Sequence, residues 1–272
     1  MSEFTVRRDA VELSGEEAGE GVPVVLLHGL TATRRYVVMG SRALERGGHR
    51  VVAYDARGHG RSSPAATAED YGYESLAADL LGVLDDRGID RAVLAGASMG
   101  AHTIARLALD HGDRVAGLVL VTPAYSPEGA DGDLARWDAL AEGLRSGGVE
   151  GFVAAYGEPD VPAAWRATIV KVLHQRLAAH EHPGAVADAL RVVPRSRPFG
   201  SWSELAELAL PCVVVASRDE ADPGHPYDVG RRYAEAIPGA ELVSEPPGAS
   251  PLAWQGGQLS RVIRGLAERA DT

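Results

Sequence analysis

Cysteine and lysine occur once each among 272 residues and phenylalanine three times, and the scarcity of cysteine excludes something. A lone Cys212 cannot form an intramolecular disulfide, which points to a fold held by its core and to the reducing cytoplasm as its compartment. Opening the apolar run Cys212 to Ala216, it reads as a buried structural thiol. No run of about 18 apolar residues occurs and Met1 to Ala10 lacks the apolar stretch of a secretory signal, so neither a membrane span nor export is expected. Basic charge is also short: 27 Lys and Arg against 38 Asp and Glu leave a net charge of −11, which argues against nucleic acid and anionic membranes as partners. Lys171 is the single lysine, a bias toward arginine that carries no functional reading. There is no metal-ligand cluster and no nucleotide-binding glycine fingerprint, so no metal and no cofactor is expected. On one helix His174 and His182 would stand about 12 Å apart, too far to share a metal ion.

What is present is core. With 45% apolar residues the chain can bury one large α/β domain carrying an inserted lobe. Val22 to Leu27, Val51 to Tyr54, Ala92 to Ala95 and Val115 to Val121 are short continuous apolar runs separated by helical spacing, the alternation that builds a parallel sheet with helices on both faces. Val11 and Leu13 mark an edge strand, and the spacing of Val37, Val38, Ala43 and Leu44 predicts a helix ending at Gly47 and Gly48. From residue 124 to 204 the rhythm is helical only, which predicts core at 1–123 and 205–272 with a helical lid inserted at 124–204. Cys212 to Ala216, Leu242 to Val243 and Leu259 to Leu266 then restore strand, strand and helix.

The sharpest local signal is Gly96-Ala97-Ser98-Met99-Gly100, placed between a buried strand and a helical pattern. With 32 glycines and 16 serines, chance supplies roughly 0.2 such motifs, so the context decides. Strand, tight turn and helix around a serine hold its hydroxyl in the open, and the glycines keep side chains off the neighbouring strand and helix.

Three motifs in order, His28-Gly29 after the first buried strand, Asp55 to Ser62 as D-x-R-G-H-G-x-S, and the Gly96 to Gly100 elbow, make the chain resemble the α/β-hydrolase fold superfamily in its lid-bearing esterase and lactonase branch. The resemblance spans nearly the whole chain. It implies Ser98 as nucleophile, the N–H groups of Leu30 and Met99 as oxyanion hole, and Asp219 as acid in the loop after the strand that follows the lid, with Asp222 the competing carboxylate. It makes His28 and His59 architectural, and His102, one turn into the helix, structural. Trp137, Tyr156 and Trp254 are candidates to line an apolar substrate pocket, with Phe152, Trp165, Phe199 and Trp202 as further aromatics of the lid.

The pattern breaks at the base. The superfamily places its histidine after the last strand, where this chain reads Glu245-Pro246-Pro247-Gly248-Ala249-Ser250-Pro251, and the last histidine of all is His225. Three readings follow: His225 acts as base from the acid-bearing loop; a lid histidine, His174, His180 or His182, reaches down, although helix histidines are expected to be solvated; or no base exists. The expected activity is cofactor-free hydrolysis of a small carboxylic ester or lactone through an acyl-enzyme on Ser98. The alternative is a ligand-binding or non-hydrolytic member of the fold.

Overall fold

Aliphatic, β-branched runs pair into one eight-stranded sheet, and the loops that carry Leu30, Ser98 and Asp222 leave the C-terminal ends of three of its parallel strands. The computed structural model describes residues 1–129, 134–219, 221–246, 249, 254 and 256–270. The strands are β1 (Ser2–Arg8), β2 (Val11–Ala18), β3 (Val22–Leu27), β4 (His49–Tyr54), β5 (Ala92–Ala97), β6 (Val115–Val121), β7 (Cys212–Val215) and β8 (Glu241–Val243). They lie in the order β1-β2-β4-β3-β5-β6-β7-β8. β1, β2 and β4 pair antiparallel and all further pairs are parallel. The central strands are buried on both faces, and their residues alternate between two cores as a period of two demands. Val25, Leu27, Leu94, Leu118, Leu120 and Val214 face one side, and Val24, Leu26, Val93, Val119, Val213 and Val215 the other.

Helices α1 (Ala43–Arg46), α2 (Tyr73–Asp86) and α3 (Met99–Asp110) follow β3, β4 and β5 in turn. Between β6 and β7 come α4 (Leu134–Tyr156), α5 (Ala163–Leu177), α6 (Pro183–Val192) and α7 (Trp202–Leu205), and α8 (Tyr227–Ala236) and α9 (Gly256–Ala270) close the chain. Leu80, Leu84, Ile104 and Tyr233 of α2, α3 and α8 cover the first face, while Leu44, Leu259, Ile263 and Leu266 of α1 and α9 cover the second. α4 breaks at Gly148, whose φ of 60° is the left-handed region only glycine enters without strain. α4, α5 and α6 share a core of their own built on Leu140, Leu144, Phe152, Leu173, Leu177 and Leu190. Cys212 is buried in the first sheet core, and burial pushes its thiol up to about 12, so it is an inert packing residue.

Three local expectations differ from the structure. The polar N-terminus forms β1 as the edge strand, so Val11 and Leu13 lie one strand further in; only Val6 of β1 is buried, which leaves little hydrophobic signature. The helix expected over Val37 to Leu44 shrinks to a single turn at Arg34–Tyr36 and to α1, because Met39 (φ 47°) and Gly40 (φ 72°) turn the chain between them. Phe199 and Trp202, counted with the inserted helices, pack in the sheet core against Tyr233. No helix among the described residues is long and apolar enough to cross a membrane.

Candidate active site

β5 runs straight into Ser98, which has φ 50° and ψ −113°, a backbone conformation that a non-glycine residue holds only where its surroundings enforce it. Its N–H donates to Val121 O at 2.9 Å and its carbonyl accepts from His102 N at 3.1 Å, so the turn is held by β6 on one side and α3 on the other. A Cβ on Gly96 would collide with the Gly100 backbone, and one on Gly100 with the Leu27 carbonyl. Both glycines are therefore required by close approach. The Ser98 side chain is half-buried, and among the described residues its hydroxyl has no hydrogen-bond partner.

The His28-Gly29 loop lies directly over the elbow: a Cβ on Gly29 would sit 3.5 Å from Ser98 Cβ and 3.4 Å from Ala97 O. Leu30 follows in this loop, and Met99 heads α3, where the first N–H groups of a helix have no partner within it. His28 Nδ1–H donates to Gly29 O (2.8 Å) and Nε2 accepts from Ala56 N (2.9 Å), so the ring is neutral and fully used. Burial, with lesser help from nearby cations, lowers its pKa to about 3. His59 donates to Arg57 O at 2.9 Å, and His102 accepts at Nε2 from Ala124 N and Tyr125 N while Nδ1–H donates to the Tyr73 hydroxyl. Each of these histidines has backbone work in place of contact with Ser98. In the D-x-R-G-H-G-x-S loop Asp55 pairs with Arg34, and Arg57 makes a buried bidentate ion pair with Asp79 at 2.7 and 2.7 Å.

The loop after β7 carries the remaining candidates. Asp219 turns inward on its own loop, Oδ1 accepting from Ala221 N at 2.7 Å. Asp222 is the carboxylate that meets His225: Nδ1–H donates to Oδ1 and Oδ2, each at 2.8 Å. This fixes the ring tautomer and leaves the lone pair on Nε2. Burial alone would raise the Asp222 pKa, but the hydrogen bond and charge of His225 and the charge of Arg176 outweigh it and hold the carboxyl below its usual range. Burial, and to a lesser degree the proximity of His225, lowers the pKa of His102 in the first turn of α3. No imidazole among the described residues is hydrogen-bonded to Ser98.

Where the superfamily histidine is expected, this chain has a brace. Glu245, buried after β8, accepts from Ser217 Oγ (2.8 Å), Arg218 N (2.5 Å) and Trp254 Nε1 (2.7 Å). It ties the Asp222 loop to the sheet. Glu245→Ala strands three donors and is expected to destabilise the fold by about 2 to 4 kcal/mol, read as a fall in the urea midpoint. An unchanged midpoint would show that the brace contributes nothing. Pro247, Gly248, Ser250 and Pro251 of this stretch lie outside the described residues.

Two features decide the family: a serine elbow at the C-terminal edge of a mostly parallel sheet, and a sequence match to known members. The α/β hydrolase fold model matches residues 22–155. RutD of Variovorax paradoxus, assigned as a carbamate hydrolase, is 32% identical over 243 residues that cover 87% of this chain and 87% of its own. The chain belongs to the α/β-hydrolase fold family. Its solved relatives include a thermophilic esterase from Thermogutta terrifontis, at TM-score 0.79 and 26% identity over 100% of both chains. The enol-lactonase from Burkholderia xenovorans LB400 matches this α/β-hydrolase chain at TM-score 0.71 and 25% identity, over 99% of this chain and 98% of that one.

In this member of the family Arg176, His180 and Glu181 join the helices between β6 and β7 to Thr31 and to Gly60. His180, expected to be solvated, is buried: Nδ1 accepts from Gly60 N (2.8 Å) and Nε2–H donates to Thr31 O (3.1 Å). Arg176, one turn earlier, donates from Nη2 to Thr31 Oγ1 at 2.7 Å. His174 stays near the surface beside Glu150 at 3.3 Å, and His182 stands at the position before α6 without a side-chain capping bond. Trp137 and Tyr156 are half-buried against the core of the inserted helices. Trp254 is placed differently, against the second sheet core with its indole on Glu245. Glu245, Arg176 and Thr31 escape sequence reasoning, since no motif contains them; the one signal is that Glu245 follows a strand directly in the loop where a catalytic residue is expected.

Proposed function

We propose that this α/β-hydrolase is a cofactor-free serine hydrolase of small carboxylic esters or lactones, with the Asp222–His225 pair supplying the base usually found after the last strand. The observation that carries the reading is the tautomer: Asp222 holds Nδ1–H, which leaves Nε2 able to take the proton of a strained serine presented at the elbow. Ser98 Oγ attacks the scissile carbonyl as Nε2 accepts its proton, and the Leu30 and Met99 N–H groups receive the developing oxyanion. The imidazolium, stabilised by Asp222, then protonates the leaving oxygen, and the same nitrogen activates the water that frees Ser98. Approach of Nε2 to Ser98 belongs to the substrate complex, since catalytic hydrogen bonds are commonly long without substrate. Asp219 shapes the turn that presents the pair. Helices α4 to α6 act as lid, with Trp137 and Tyr156 toward the pocket and Trp254 behind the Glu245 brace. The esterase and the enol-lactonase among the structural relatives support ester and lactone chemistry. We place the protein in the cytoplasm on its single, buried cysteine.

A fluorophosphonate probe is expected to label the wild type and to leave Ser98→Ala unlabelled. A folded wild type that resists labelling at high probe concentration overturns the reading in favour of a non-hydrolytic, ligand-binding member of the family.

A further inference from the structure

Two arginines set deep in this fold are neutralised by a carboxylate. Arg57 has Asp79 on two nitrogens, and Arg34 has Asp55. Arg176 is different. Its guanidinium makes one hydrogen bond, to Thr31 Oγ1, and its Nε is buried with no partner among the described residues. No carboxylate of the described residues comes within 4 Å of it, although Asp222 lies close enough to act on it through its charge. The nearest ring, Tyr36, has its centroid 6.0 Å from the guanidinium carbon. Burial holds the Arg176 pKa down while the residue keeps accessible surface, the combination found in a group that lines a cleft. An uncompensated cation at such depth is costly unless an anion arrives from outside.

Its position says where that anion would sit. Thr31, which it holds, directly follows Leu30, and consecutive Cα atoms are about 3.8 Å apart. The guanidinium is therefore a short acyl chain away from the proposed oxyanion donor, on the side of the Asp222–His225 pair. Asp222 does not occupy it: its carboxylate faces His225 Nδ1–H, and no ion pair joins it to Arg176 within 4 Å.

We infer that Arg176 recognises a carboxylate on the substrate, so that the site takes half-esters of short dicarboxylic acids, or lactones that carry a carboxylate, in preference to neutral esters. This rests on the serine-hydrolase reading for the site's location, and a planar guanidinium with free donors suits bidentate carboxylate recognition.

The test compares hydrolysis of mono-p-nitrophenyl glutarate with that of p-nitrophenyl butyrate, together with calorimetric titration of glutarate. The wild type is expected to favour the charged ester, and the ratio of the two kcat/KM values to fall roughly 10- to 100-fold in Arg176→Met and less in Arg176→Lys. Glutarate should bind saturably to wild type and to Ser98→Ala, and not to Arg176→Met of unchanged circular dichroism. A purely structural strut would lower both esters in parallel and keep the ratio, which overturns the inference. So does a wild type that cleaves the neutral ester without preferring the charged one, while the hydrolase reading stands. A wild type unlabelled at Ser98 that still binds glutarate through Arg176 does the reverse. Should Arg176→Met fail to fold, absence of glutarate binding by the wild type, or full binding by Arg176→Lys with an unchanged ratio, overturns it.

Discussion

His225→Ala is expected to lower kcat/KM for an activated ester by about 10⁴-fold with folding intact, and Asp222→Asn to come close to it. The reasoning is chemical. A serine hydroxyl is a weak nucleophile until a neighbouring imidazole takes its proton, and no histidine follows His225 in the chain. The other buried histidines near the loops have both nitrogens committed or only one buried, backbone-directed bond: His28 to Gly29 O and Ala56 N, His102 to Tyr73 and two amides, His180 to Gly60 N and Thr31 O, His59 to Arg57 O. Asn at 222 presents an N–H toward Nδ1 and so favours the wrong tautomer. Because nucleophile and base act as a unit, Ser98→Ala combined with His225→Ala should be no worse than either alone. Steady-state kinetics on purified variants checks this; a His225→Ala enzyme within a few-fold of wild type, alongside a dead Ser98→Ala, would remove His225 from the mechanism.

Acidification should unfold the protein well above the pH at which carboxylates protonate. Burial, first among the causes in each case, lowers the pKa of His28 to about 3, of His102 to about 3, of His59 well below its usual value, and of His180 below it. In the unfolded chain these rings titrate near 6.5. Below that pH the unfolded state binds more protons than the native state, so stability is complete above about 6.5 and is lost as pH falls toward 3. Each ring removes roughly 1.4 kcal/mol per pH unit once well below 6.5, so His28 and His102 together remove roughly 3 kcal/mol per unit, and His59 and His180 act in the same direction. Two pH units of such loss are comparable to the whole stability of an ordinary domain. Thermal melts from pH 7.5 to 4.5 are expected to show a steep fall in Tm beginning near 6.5. A flat Tm across that range would mean that these rings are not neutral and buried in the native protein.

Sequence by itself determined the parts of this protein that are local. The runs Val22 to Leu27, Ala92 to Ala95, Val115 to Val121 and Cys212 to Val215 can only be buried strands, because each is continuous, apolar and too short for a helix. The elbow at Ser98 is legible for the same reason: a nucleophile turn needs glycines two residues away on either side, and that requirement is written in five consecutive positions. The edge strand β1 and the broken stretch between Arg34 and Arg46 are less legible, since a half-exposed strand and a turn at Met39 and Gly40 leave weak periodicity. Only the tertiary structure decided which carboxylate serves His225. Asp219 and Asp222 are equivalent as letters, and the fold of one loop turns the first onto Ala221 N and the second onto the ring. The same holds for the contacts that join distant segments: Ser217 to Glu245 across 28 positions, Gly60 to His180 across 120, and Thr31 to Arg176 across 145. Gly60 apart, no residue in these pairs belongs to a motif along the chain. They meet because the parallel sheet brings the loops at the ends of β3, β4, β7 and β8 to one edge and α5 ends beside them, so three-dimensional packing alone makes a surface-like arginine and histidine into buried links between these segments.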